Sequence, residues 1–323
     1  MRILVLHSDV PPEAPPDEQD TLISAEAVAE ALVRRGHDAS QAAFRPDLIS
    51  FKRMLAREKP DLVFNLVESV FGAGLYASLA PAMLDRLGMP YTGGSAAGFA
   101  STTDKLFAKT VLRAAGLPTP DWSMPPDWAG LGDGRPYIVK AADEDASIGL
   151  DDAAVLEGAA AIHARADDCA RRLGGHWFAE SFVDGREFNI AVLEEKGAPR
   201  ILPMAEMVFA DWPKDRPRIV GWRAKWDDAS HQSVNTVRKF GVETEERELA
   251  AALIAHTTAA WSLFSLTGYA RIDFRIDANG KPFILELNPN PGIAPDAGFA
   301  AAAARDGMDY DEVIARIVAA AKR

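Results

Sequence analysis

Apolar residues recur at a helical spacing over residues 21–35, 48–58, 75–87, 103–115, 159–173, 244–266 and 309–320, the pattern of helices with one buried face. Short apolar or alternating runs over 2–7, 61–67, 89–92, 137–140, 177–182, 187–193, 201–209, 271–276 and 283–288 read as strands. Asp20 suits the N-cap of the first helix, and Gly36, Gly88 and Gly116 sit where helices close. Strands and helices alternate through the first ninety residues, which predicts a small α/β lobe with a mostly parallel sheet. Further on, runs 177–182 and 187–193 flank Asp184-Gly185 and predict a hairpin, so the second half reads as α+β. Three stretches resist periodic assignment. Residues 10–20 are acidic and proline-rich and suit a lid. Residues 121–136 are rich in Pro and Gly, and 210–233 carry three tryptophans, the profile of a long functional loop.

The runs 271–276 and 283–288 are joined by Asp277-Ala278-Asn279-Gly280, and Asn-Gly is a strong hairpin signal. A two-residue Asn279-Gly280 loop sets Asp273 opposite Glu286 and Arg271 opposite Asn288. A four-residue loop keeps the acids on one face, whereas a three-residue loop separates them. Opposed carboxylates have Cβ atoms roughly 5 Å apart, and at an effective dielectric of about 20 they repel by roughly 3 kcal/mol. A hard divalent cation offsets that repulsion. Two carboxylates and the Asn288 amide, without sulfur or imidazole, favour Mg²⁺ or Mn²⁺ over Zn²⁺. The same residues also suit a solvated hairpin face on which Arg271 and Arg275 neutralise the acids. The segment that follows, Asn288-Pro289-Asn290-Pro291-Gly292, is stiffened by two prolines and ends in glycine, suited to presenting backbone N–H groups near a metal.

With 323 residues the chain can build two or three lobes. A net charge of −12 argues against nucleic acid as a partner. Cys169 is the single cysteine, which excludes an internal disulfide and a cysteine zinc site; within 159–173 it reads as an apolar filler. No run approaches 18 uncharged apolar residues, so no membrane span is expected and a cytoplasmic location is the default. The first strand is not followed by GxGxxG, so the dinucleotide fingerprint is missing.

Several segments occur in an order that resembles the ATP-grasp superfamily, specifically the D-alanine–D-alanine ligases and their relatives. They are Thr103-Asp104-Lys105, Tyr137-Ile138-Val139-Lys140, Glu180 with Gly185-Arg186-Glu187-Phe188, Ala224-Lys225-Trp226, Ala270-Arg271-Ile272-Asp273, and Glu286 through Gly292. The resemblance spans almost the whole chain. It implies an ATP-grasp fold, α/β and α+β, with an N-terminal Rossmann-like lobe at 1–92, a central lobe at 93–179 and a C-terminal lobe with the metal site at 180–323. It further implies ATP held between lobes, with Lys105 and Lys140 on the phosphates. Glu180 would meet the adenine amino group, Ser181 and Val183 would lend hinge backbone groups, and Glu187 would take the ribose hydroxyls. Lys225 would lie in a lid over the phosphates, and Asp273, Glu286 and Asn288 would hold Mg²⁺ or Mn²⁺. A substrate carboxylate would then be phosphorylated and attacked by an amine, with Arg271 and the Gly292 N–H stabilising the oxyanion. Small-molecule carboxylates and amines are the implied partners, and a homodimer is allowed, since members often pair.

The match departs from the family in the phosphate loop and at the amino-acid end. Asp145-Ala146-Ser147 replaces a Gly-Ser-Ser run, leaving Ser147 as the hydroxyl donor. The family's acid in the first helix region has Gln19 and Asp20 as its nearest counterparts. Its His-Gly becomes Glu68-Ser69, and its Ser-Leu pair falls at Ala297-Gly298. Glu68 at a strand end suggests a cationic substrate group. The expected activity is therefore a carboxylate–amine ligase with altered amino-acid specificity; the alternatives are a genuine D-alanine–D-alanine ligase and an inactive ATP-binding module.

Overall fold

The computed structural model describes residues 1–132, 134–144 and 147–321. Its first sheet is wholly parallel, in the order β2 (Asp38–Phe44), β1 (Arg2–Ser8), β3 (Leu62–Leu66). The crossovers are α1 (Pro16–Arg34) and α2 (Leu48–Glu58). α1 starts earlier than expected, with Pro16 in its first turn, where proline's missing N–H costs nothing. Asp20 is therefore inside α1 and does not cap it, and part of the expected 10–20 lid is helix. The 75–87 helix is a 3-10 turn, Gly74–Tyr76, followed by α3 (Leu79–Leu87), which Gly88 closes at φ 65°. Residues 89–92 form only an isolated bridge, Tyr91 with Val63, because Pro90 has no N–H to extend a ladder. α4 (Ala96–Thr103) was not expected. It breaks at extended Asp104, whose carboxylate caps α5 (Lys105–Ala114) by accepting from Leu106 N and Phe107 N, both at 3.0 Å.

The second sheet runs β4 (Trp122–Ser123), β7 (Trp177–Ser181), β5 (Tyr137–Ala141), β6 (Val155–Leu156), covered by α6 (Ala159–Leu173). The third runs β11 (Thr236–Lys239), β10 (Ala205–Phe209), β8 (Arg186–Glu195), β12 (Tyr269–Ile276), β13 (Pro282–Asn288), with β9 (Ala198–Ile201) on β8. The hairpin expected from 177–182 and 187–193 does not form. β7 is held between β4 and β5, while β8 pairs along its length with β12, so the turn at Asp184-Gly185 steps between sheets. Gly185 is required there: a Cβ would fall 1.8 Å from Ile276 O. The single strand expected over 201–209 is two, interrupted around Pro203. The aperiodic 210–233 holds two short helices, α7 (Trp222–Trp226) and α8 (His231–Val234). The expected 244–266 helix is split at Glu246 into α9 (Val242–Glu245) and α10 (Arg247–Leu263). α11 (Gly298–Arg305) was not foreseen, and α12 (Tyr310–Ala319) begins at its Asp309 cap.

The β12–β13 hairpin reaches the expected pairing by a different route. Its loop has three residues, since Asp277 N donates to Lys281 O at 3.0 Å and Gly280 takes φ 79°. That shifts the register by one, and a bulge at Leu285 shifts it back. Asp273 pairs with Glu286 and Arg271 with Asn288 after all.

One apolar cluster joins the first and third sheets, with Ile3, Val5 and Leu66 packing in the same core as Leu193, Tyr269 and Phe299. Among the described residues no helix is long and apolar enough to cross a membrane.

Candidate active site

A cavity of about 600 Å³ opens between the sheets. α5 brings Lys105 to its wall because Asp104 fixes the start of the helix. Lys105 Nζ donates to Glu144 O and stands 3.8 Å from Glu286 Oε2. β5 delivers Lys140, whose Nζ lies 2.7 Å from Glu180 Oε1 on β7. Lys109 Nζ pairs with the other oxygen of Glu180. Burial alone would raise the Glu180 pKa, but the two lysines outweigh it and hold the carboxyl below its ordinary range. Val183 lines the cavity, whereas Ser181 is outside its wall with its N–H donated to Asp121 O at 2.8 Å. Glu187 also lines it and lies 3.4 Å from Arg275 Nε; burial pushes its pKa up despite that guanidinium.

Asp273, Glu286 and Asn288 all face this cavity from β12 and β13. Arg271 grips Asp273 with two hydrogen bonds, Nε to Oδ1 and Nη2 to Oδ2, both 2.8 Å. The paired acids titrate apart. Burial and Glu286 push Asp273 up against the pull of Arg271. Burial acts the same way on Glu286, but Lys105, Lys225, Lys140 and Arg271 together bring it down to about 2. Lys225 on α7 completes the ring of cations, its pKa lowered by burial and by Arg271. Among the described residues no group of three or more His, Cys, Asp or Glu is placed to hold a metal. Two carboxylates and an amide still fit Mg²⁺, which commonly takes one or two protein carboxylates and completes its shell from phosphates and water. Asp273 keeps spare lone pairs beyond its two bonds to Arg271, and Glu286 remains ionised. Asn288 Oδ1 accepts from Asn290 N at 3.1 Å, which orients the amide.

A second set of acids, Asp20 and Asp296, lines the cavity with Arg238 beside them. Asp20 projects from α1 beside Gly292, where a Cβ would sit 3.8 Å from Asp20 Oδ2. Burial and Asp296 raise the Asp20 pKa. Glu68 follows β3, its backbone N–H fixed by Ser8 Oγ at 3.1 Å. Ala297 and Gly298 line the same cavity. The 210–233 segment closes over the cleft: Trp222 Nε1 donates to Asp17 Oδ1 at 3.2 Å, and Ser147 Oγ donates to Val220 O at 2.9 Å. Ser147 holds φ 61°; Asp145 and Ala146 of the same loop lie outside the described residues. Sequence reasoning missed Asp17, Lys109, Arg238 and Asp296. Lys109 had a signal, since it follows Lys105 at i+4 on one helix face. Arg238 donates to Asp296 O at 3.3 Å across more than fifty residues, a contact no local pattern encodes.

Two sheets closing on a cleft ringed with cations, with paired carboxylates facing them, have the layout of an ATP-grasp fold. Solved structures bear out the fold. The D-alanine–D-alanine ligase of Bacillus anthracis complexed with ATP superposes with a TM-score of 0.76 at 17% identity, covering 99% of this chain and 97% of that one. The family model described as "D-ala D-ala ligase C-terminus" matches residues 132–319. The D-alanine–D-alanine ligase of Chromohalobacter salexigens is 31% identical over 94% of this chain and 90% of its own length. An uncharacterized protein of Sinorhizobium fredii, y4sG, is 30% identical over 93% of this chain and 87% of its own. The chain belongs to the D-alanine–D-alanine ligase family.

Proposed function

We propose that the protein joins a carboxylate to an amine at the cost of ATP, through an acyl phosphate, with an amino-acid specificity other than two D-alanines. The observation that carries this reading is the grouping of charged side chains in the cavity. Lys105, Lys140, Lys225 and Arg271 gather around Glu286, while Asp20 and Asp296 stand near one another by Gly292, with Asp17 and Glu68 also lining the cavity. Cations suit the polyphosphate, and the acids suit an ammonium-bearing substrate. Asp273, Glu286 and Asn288 would hold Mg²⁺, which when bound draws charge from the transferring phosphoryl group. Lys105, Lys140 and Lys225 orient the phosphates, and Glu180, Val183 and Glu187 receive the nucleoside. The substrate carboxylate attacks the γ-phosphoryl group and ADP leaves. The amine then attacks the acyl carbon, Arg271 and the Gly292 N–H steady the oxyanion, and phosphate departs. The 210–233 segment excludes water from the acyl phosphate.

Altered specificity is supported by Ala297 and Gly298, which line the cavity without a hydroxyl, and by the acid Glu68. Genuine D-alanine–D-alanine ligation is the second reading, favoured by the family itself. ADP release read by mass spectrometry separates them. D-alanine alone should give little turnover, and a panel including basic amino acids and amines should give more. Vigorous release with D-alanine alone would overturn the altered specificity.

A further inference from the structure

Lys109 stands behind the cavity wall. It follows Lys105 by about one turn of α5, so both side chains leave the same helix face, yet Lys105 lines the cavity and Lys109 does not. Lys109 is 1% exposed. Besides pairing with Glu180 Oε2, its Nζ donates to Thr119 Oγ1 at 2.9 Å. Thr119 Oγ1 in turn donates to Ile284 O at 2.9 Å, and Ile284 N donates to Pro118 O at 2.8 Å. The ammonium is thereby anchored to β13, one residue before the Leu285 bulge. From the cavity side, Lys140 takes the remaining oxygen of Glu180. Two lysines share one buried carboxylate, and only Lys140 is placed to reach a ligand.

A polyphosphate entering the cavity attracts Lys140 away from Glu180. A buried carboxylate stripped of its counter-charge is strongly penalised, so a second cation is needed at that moment. We infer that Lys109 is a positioning residue for nucleotide binding: anchored on Thr119, it holds Glu180 from behind, so that Lys140 can turn to the nucleotide without stranding a buried charge. The inference rests on the ATP reading of the cavity. Among the described residues the charged groups facing Glu180 are Lys109 from α5 and Lys140 from β5.

The test is calorimetric titration of Mg²⁺·ATP into the full chain between pH 6 and 7, below the value of about 8 to which burial lowers the Lys109 pKa, in buffers of differing ionisation heat, so that protons taken up on binding are counted. Wild type, Lys109→Met, Glu180→Gln and the double variant are compared. Lys109→Met should bind about tenfold or more weakly than wild type, because Lys140 must abandon an otherwise unpaired acid. It should also take up close to one extra proton, as Glu180 is neutralised in place of Lys109. Its affinity then falls as pH rises, by up to about tenfold per pH unit relative to wild type. The double variant needs no counter-charge, so it should bind within about threefold of Glu180→Gln and without extra proton uptake. It also keeps the test readable if Lys109→Met does not fold.

Lys109→Met binding as tightly as wild type would overturn the inference. So would weaker binding with the wild-type proton count, which is what a merely structural lysine would give, or a double variant much weaker than Glu180→Gln. Those outcomes leave the ATP reading intact. Wild type showing no saturable binding of Mg²⁺·ATP would overturn that reading, and this inference with it.

Discussion

Replacing Asp273 by Asn removes one carboxylate from the expected metal site and frees Arg271 from its two bonds. A divalent cation stabilises phosphoryl transfer by several kcal/mol, so ADP release should fall about a hundredfold or more, with a higher Mg²⁺ requirement. Magnesium titrations that superimpose on wild type would dismiss the site. Lys225 supplies the residue-scale prediction for pH. Burial and Arg271 lower its pKa, and its proposed role needs the cation. Activity should therefore decline, as pH rises, earlier than an ordinary lysine would dictate. Lys225→Arg stays charged throughout and should move that basic limb to higher pH. A limb that does not move in the arginine variant assigns it to another group.

At the scale of elements, the site depends on two backbone irregularities. The Leu285 bulge cancels the shift made by the three-residue loop; because Leu285 is the unpaired residue, deleting it should leave a regular ladder with Glu286 still opposite Asp273, and Mg²⁺-dependent turnover should largely survive. Lost turnover in a folded variant would show that the bulge itself, and not the pairing alone, aims Glu286 at the cavity. Gly185 carries the step from β7 to β8, and the Cβ of Gly185→Ala would meet Ile276 O at 1.8 Å. Forced backbone movement there should cost about 1–3 kcal/mol or more, read from the denaturation midpoint. A midpoint within error of wild type would show that the step has slack.

Across the whole molecule, the first and third sheets share one core, and residues of both, Ser8 and Arg271 among them, line the cavity. Phe299 lies in this shared cluster, 1% exposed and edge-on to Tyr269 at 5.6 Å. Tyr269 in turn hydrogen-bonds Asn290, whose amide reaches Val67 O across the sheet boundary at 3.4 Å. Phe299→Ala should therefore cost about 3–5 kcal/mol of global stability. The loss should appear in one unfolding transition followed by near-UV and far-UV circular dichroism together. Two separated transitions would show that the sheets unfold independently.

Local periodicity and turn chemistry determined what lies within a few residues' reach: β1 and β3 of a parallel first sheet, though not β2, which falls between them in the chain, α2 and α6 at their observed bounds, and the β12–β13 hairpin itself. Motif order over two hundred residues was enough to point to the family. The break between β7 and β8 was not legible, because an Asp-Gly turn looks the same whether its strands pair with each other or with distant partners. Nor was the early start of α1, where prolines that usually signal a loop instead occupy a first helical turn. The compensating bulge, the shared core, and the Arg238–Asp296 and Lys109–Glu180 contacts were settled by tertiary structure alone. Each depends on which surfaces meet in space, and hydrogen-bonding edges and buried charges find their partners through packing, not through sequence spacing.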